Sequence, residues 1–180
     1  LELKPYIVHF SGHGAGEEGI VFEDEIGNSE FVDTEGLSSF FELFSDSVEC
    51  VVLNACYSEV QAEAISQHIP YVIGMSDEIN DSDAIEFAVS FYDALGAGEN
   101  FDFAYNLACS SLQINNKKLI SDIPILKTSN RKFGKKSLEL SATLISAYFM
   151  EKGIDAVFNI LRKGYRHTIN SLSEHLGSQI

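Results

Sequence analysis

The sequence predicts an α/β domain whose mostly parallel sheet is covered by helices on both faces. Short apolar runs rich in β-branched residues recur along the chain: "YIVHF", "VECVVLN" and "YVIG". Amphipathic stretches of helical period lie between them. Strands that are apolar on both sides alternate with helices in parallel sheets, where no face meets water. With 180 residues and 45% hydrophobic content, the chain can bury a real core as one domain with an appendage.

Each element follows from local chemistry. Tyr6–Phe10 reads as a buried strand. Gly19–Phe22 and Phe31–Val32, around Ile26-Gly27-Asn28, read as a small hairpin. Leu37–Phe44 is a helix, with Asp33 or Thr34 as its cap. Val48–Asn54 is a second strand, and Glu59–His68 is a helix that Pro70 stops. Tyr71–Gly74 is a third strand. Asp83–Leu95 is a helix closed by Gly96 in a left-handed cap, with Asp81 or Ser82 opening it. Phe101–Ile114 is a further helix and Ile123–Leu126 a last strand. The basic "NRKFGKK" after Thr128 is a linker. Beyond it, helices are expected at Ser137–Glu151, Ile154–Leu161 and Thr168–Leu176. The division is therefore a domain over 1–127 and a basic linker with a helical tail over 128–180.

Charge divides the chain in the same way. Residues 1–116 hold one base, Lys4, against 22 acids, whereas residues 117–180 hold 11 bases against 5 acids. Such asymmetry marks a segment boundary. The acidic part is a solvated surface, or one that attracts basic peptides and repels nucleic acid. No apolar run reaches the roughly 20 residues of a membrane span, and "LELKPY" is not a signal peptide. The absence of an initiator Met points to a fragment or a processed piece. Three cysteines suit a reducing compartment, hence the cytoplasm.

Ligands of parallel α/β sheets sit beyond the carboxyl ends of the strands. Two strands here run out into reactive residues. One leads to His13 in "SGHG", flanked by Gly12 and Gly14; the other leads through Asn54-Ala55 to Cys56, just before a helix. A thiol near a helix N-terminus is biased toward thiolate, and a neighbouring histidine completes a nucleophile–base pair. Cys50 lies at the wrong end of its strand and Cys109 inside a helix, so both read as core. His9 reads as a structural imidazole. No CxxC, HxxxH or HExxH spacing points to zinc, and "SGHGAGEEG" lacks the lysine and following helix of a phosphate loop. No metal or other cofactor is expected.

Together, "PYIVHFSGHGAGEEGIVFEDEIGN" and "VECVVLNACYSEVQAEAISQHIPYVIGMSDEINDSDAIEFAVSFYDALGAG" resemble the CHAT domain, a caspase-like branch of the cysteine proteases that include caspases, metacaspases and separases. The likeness runs from about Leu3 to Leu126. His13 and Cys56 stand 43 residues apart, near the roughly 50 of caspases, but Asn54 replaces the caspase Gln and Tyr57-Ser58 replace the pair after the cysteine. Caspase specificity for Asp is therefore not carried over.

The resemblance implies a caspase-like sheet, incomplete on its N-terminal side, because members usually carry about two more strand–helix units ahead of the segment that opens here. Tyr6–Phe10 would then have one backbone side unpaired, or paired with the tail or another chain. It implies a cysteine endopeptidase acting on protein or peptide substrates in a bacterial regulatory or defence system, with the N-terminal half or regulatory domains as partners. His13 would be the base and Cys56 the nucleophile; the amides of Gly14 and Cys56 would form the oxyanion hole. Ser11, Gly12, Asn54 and Ala55 would line the cleft floor. Asp77 and Glu78, with Asp81 and Asp83 beyond them, stand where a rim could select Lys or Arg. The alternatives are a catalytically silent interaction module and a small-molecule-binding α/β domain, the latter without a cofactor fingerprint.

Overall fold

A computed structural model describes residues 5–23, 29–114, 120–129 and 145–147. The elements are β1 (Ile7–Ser11), β2 (Ile20–Glu23), β3 (Ser29–Val32), α1 (Thr34–Glu42), β4 (Cys50–Asn54), α2 (Glu59–Ile65), β5 (Tyr71–Met75), α3 (Asp81–Gly96), α4 (Phe101–Ile114), β6 (Pro124–Thr128) and β7 (Ile145–Ala147). Short 3-10 turns at Gly16–Glu18 and Ile120–Asp122 complete them.

Five strands form one sheet in the order β6-β5-β4-β1-β7, and β2 and β3 form a separate antiparallel hairpin. Pairings within β5-β4-β1-β7 are parallel; β6 alone runs antiparallel, against β5. The fold is α/β with a mostly parallel sheet between helices, consistent with a caspase-like architecture.

Alternation along the strands assigns each face its helices. Ile7, Cys50, Val52 and Ile73 point one way and pack with Phe87 and Phe91 of α3 and Phe101, Ala104, Ala108 and Leu112 of α4. Phe10, Val51, Leu53 and Val72 point the other way, onto Leu37 and Phe41 of α1 and Ala62 and Ile65 of α2. The helix pair α1–α2 therefore covers one face and α3–α4 the other.

One expected cap is found and several other local expectations are corrected. Asp33 caps α1, its carboxylate accepting the Gly36 amide at 2.7 Å. At α3 the cap is Asn80, whose side chain accepts from Asp83 N at 3.0 Å and donates to Asp83 Oδ2 at 2.7 Å. Asp81 is already helical. The left-handed residue after α3 is Gly98 (φ 89°), not Gly96, which remains in the helix. Ile145–Ala147 falls within the helix expected over Ser137–Glu151 but forms a strand, drawn to the open backbone edge of β1, where Ile7–His9 align with Ile145–Ala147. Tyr6–Phe10 thus finds its second partner in the tail. The rest of that segment, the two later helices, the basic linker and Ile26-Gly27-Asn28 lie outside the described residues.

His9 confirms its structural role. It is 2% exposed, its Nδ1 lies 2.9 Å from the Tyr92 hydroxyl oxygen, and the two rings stack with centroids 5.6 Å apart. Burial lowers its pKa from 6.5 to about 4. Below pH 6.5 the unfolded chain binds a proton that the folded protein refuses. This stability is complete above pH 6.5 and is lost as pH falls toward 4, by about 3 kcal/mol. His9→Gln should flatten the fall in Tm between pH 7 and pH 4.5; an undiminished fall in the variant would remove His9 as its source.

Candidate active site

The site starts from the pairing of β1 with β4. Ser11 aligns with Asn54, so both strands leave the sheet at the same level, and Gly12 N donates to Asn54 O at 3.2 Å just beyond. The next residues are His13 and Gly14 on one side, Ala55 and Cys56 on the other. They are in direct apposition: a Cβ on Gly14 would collide with the Cys56 carbonyl oxygen and lie 3.3 Å from Ala55 Cβ. Glycine at 14 is what lets the His13 segment cross over the Cys56 peptide.

On the other side of Cys56, β4 and β5 part. Their ladder ends at Val52–Ile73, and the buried Ser58 hydroxyl spans the opening. Its Oγ donates to Leu53 O and accepts from Met75 N, both at 3.0 Å. Gly74 permits this approach, because a Cβ there would lie 2.7 Å from Ala62 Cβ and 2.9 Å from Ser58 O. Cys56 therefore sits on a turn lodged where two parallel strands diverge.

The turn is strained. Tyr57 has φ 56°, the only positive φ outside glycine among the described residues. A non-glycine residue there costs about 1–2 kcal/mol. Asp77 holds it, accepting Tyr57 N at 3.4 Å on its backbone carbonyl, and its carboxylate raises the pKa of the Tyr57 phenol by favouring the protonated hydroxyl. Asp77 also accepts Glu78 N at 2.7 Å. Asp77 and Glu78 are both exposed, beside the turn that carries Cys56.

His13 is exposed and Cys56 partly so. Among the described residues the His13 ring has no hydrogen-bond partner, and the Cys56 thiol donates to Ile79 O at 3.5 Å rather than to an imidazole nitrogen. The amides of Gly14 and Cys56 likewise donate to no described group. Gly14 bridges Ile20, but the bonds of that bridge run through its neighbours, Val21 N to His13 O and Ala15 N to Gly19 O, both 3.0 Å. Two unspent N–H groups thus flank the peptide beside the thiol. With seven residues, α2 adds little dipole beside the thiol.

The four residues expected to line the cleft floor differ in exposure. Ser11 is half-buried and Gly12 exposed, the latter over the Phe10 ring. Asn54 and Ala55, expected to line the floor, are buried and build it from beneath: Asn54 Nδ2 donates to Ala84 O at 3.2 Å, tying β4 to α3. Asp83 is also withdrawn from the rim, buried in the Asn80 cap. Sequence reasoning missed Ser58 and Gln61, which are wholly buried polar residues on the Cys56 side of the site. Two polar residues close behind a candidate nucleophile, among apolar helix positions, were the available signal. Among the described residues no group of three or more His, Cys, Asp or Glu is placed to hold a metal ion.

No protein-family model matches the chain. It is similar to a Roc-COR-CHAT protease from an unknown prokaryotic organism, at 29% identity over 127 residues, which cover 67% of this chain and 12% of that protein. It is also similar to a probable protease of Gillisia limnaea, at 24% identity over 119 residues, which cover 64% of this chain and 21% of that protein. The chain thus spans about an eighth and a fifth of these curated relatives. Both names say protease and the first also says CHAT, which supports the resemblance to a CHAT-domain protease.

The three free thiols differ in setting. Burial pushes the Cys50 thiol up, with the Glu49 charge adding to it, and burial also raises Cys109. Iodoacetamide near neutral pH should modify Cys56 at least about tenfold faster than either, because thiolate fraction and access control the rate. Peptide mapping checks this, and equal labelling of the three in the folded protein would remove Cys56 as a distinctive thiol.

Proposed function

We propose that this chain carries the active site of a cysteine endopeptidase, with Cys56 as nucleophile and His13 as general base. The observation that carries it is the apposition of the His13–Gly14 segment to the Cys56 peptide at the ends of adjacent parallel strands. The protease names of both relatives support peptidase activity in general.

The chemistry follows from the groups present. His13 takes the Cys56 proton, and the thiolate attacks the scissile carbonyl carbon, forming a C–S bond. The developing oxyanion accepts from the Gly14 and Cys56 amides, which are otherwise unspent. The C–N bond then breaks as His13 returns the proton to the leaving amine. Water, deprotonated by His13, attacks the thioester; the C–S bond breaks and the thiol is restored with a free carboxylic acid. For the first step the His13 ring and the thiol must turn toward each other, the thiol leaving Ile79 O.

Asp77 and Glu78 supply the specificity. Exposed carboxylates beside the Cys56 turn favour Lys or Arg in the substrate, since opposite charges offset each other's desolvation. Ser11 and Gly12 supply backbone along which a peptide lies. The substrate is a protein, and the setting is a prokaryotic regulatory or defence system, as the multi-domain size of the relatives suggests; the remainder of the protein would supply regulatory domains. Free thiols suit the cytoplasm, and among the described residues no helix is long and apolar enough to cross a membrane.

A second role, a silent caspase-like interaction module, is favoured by one observation: the thiol is bonded to Ile79 O and not to His13.

Cys56→Ala and His13→Ala decide between the two roles. Each should lower peptide cleavage by the full-length protein by about 10²-fold or more without lowering Tm. Partner binding that survives both substitutions, with no cleavage by the parent, would favour the silent module.

Specificity has its own test. Asp77→Asn with Glu78→Gln should lower kcat/KM about tenfold for peptides cut after Arg or Lys and spare peptides cut after apolar residues. Preferential cleavage after Asp, or no change in the double variant, would assign these acids to the turn alone.

A further inference from the structure

Gln61 is wholly buried on α2, five residues after Cys56. Its Nε2 donates to Gly16 O at 2.7 Å and to Thr34 Oγ1 at 3.0 Å. Its Oε1 is buried without a partner among the described residues. An unpaired buried acceptor costs stability, and an apolar side chain of the same length would avoid that cost. The amide is therefore poorly explained as packing. The orientation of its two donors is also dictated: reversed, Oε1 would face the Gly16 carbonyl, acceptor against acceptor.

Gly16 belongs to the loop that carries His13. At its start the loop is tied to the sheet by Gly12 N to Asn54 O, and its own bonds, Ala15 N to Gly19 O and Gly19 N to Gly16 O at 3.1 Å, set its shape. Those bonds do not set how far the loop stands from the Cys56 turn. The Gln61 bond does, because it fastens the far bend of the loop to the helix that follows Cys56. The contact with Thr34 extends the tie to the start of α1.

We infer that Gln61 is a positioning residue: its side-chain amide holds the His13–Gly16 loop at the distance from Cys56 that brings the base and the Gly14 amide onto the reacting carbonyl. Its role presupposes the cysteine-peptidase function proposed above. Misplacement of such groups by about 1 Å costs roughly a hundredfold in rate.

The test uses the full-length protein and two thiol probes. Peptidyl chloromethyl ketones, ending in arginine and in leucine, alkylate Cys56 with loss of chloride and need the loop; iodoacetamide needs only the thiol. Gln61→Met should slow ketone capture at Cys56 by about 10- to 100-fold. It should leave iodoacetamide labelling within about threefold, with Tm almost unchanged. In Gln61→Glu a carboxylate faces the Gly16 carbonyl and repels it, whereas the protonated acid donates to it. The capture rate of that variant relative to the parent should therefore rise as pH is lowered, and this series decides the matter if Gln61→Met does not fold. A pH-independent ratio overturns the inference, as does a loss of both probes in step with Tm. If the parent captures the ketones at Cys56 and Gln61→Met captures them as fast, the positioning role falls and the peptidase stands. If the parent captures neither ketone at Cys56, the peptidase function falls, and this role with it.

Discussion

The register between β1 and β4 is the constraint on which the site depends. Parallel pairing of Ile7–Ser11 with Cys50–Asn54 makes the strands end together, and the bond from Gly12 N to Asn54 O carries the alignment one residue past the sheet. A slip of one residue would turn every side chain of β1 to the opposite face, taking Phe10 out of the α1–α2 core and His9 away from Tyr92. The register is thus held by burial on both faces, and the positions of His13 and Cys56 follow from it without any direct bond between their side chains.

Around that register, buried polar groups are used as ties between elements. Asn54 joins β4 to α3 through Ala84 O, Ser58 spans the parting of β4 and β5, and Gln61 links the His13 loop to α1 and α2. Each lies within five residues of Cys56 in sequence. Among the described residues, acceptors without a partner remain on Asn54 and Gln61, and Tyr57 is held in a left-handed conformation. Two unsatisfied acceptors and a strained backbone thus lie near this turn, while His9 Nε2 and His68 Nδ1 are buried without a partner elsewhere among the described residues.

The sheet edge shows how an open backbone is dealt with. Unpaired N–H and C=O groups along β1 would template association with another chain. Three residues of the tail close that edge as β7, although their sequence reads as part of a helix. Local propensity yields there to the demand of a sheet edge for a partner.

Continuous apolar runs, helical periodicity and turn residues made the α/β class, the strand and helix positions and the apposition of "SGHG" with "NAC" legible from the amino-acid sequence. These are local or pairwise patterns, and burial of apolar strands on both faces leaves few ways to satisfy them. Caps were less legible. Asn80, Asp81 and Ser82 are all competent to open α3, and only the packed position of Asp83 selects Asn80. The antiparallel direction of β6 and the pairing of β7 with β1 depend on partners distant in sequence. So do the burial of Asn54 and Ala55 beneath the site and the reach of Gln61 to Gly16, 45 residues away. Periodicity determines which face of an element is apolar. Which polar group meets which across that face is decided when the elements pack and each buried donor takes the acceptor within reach.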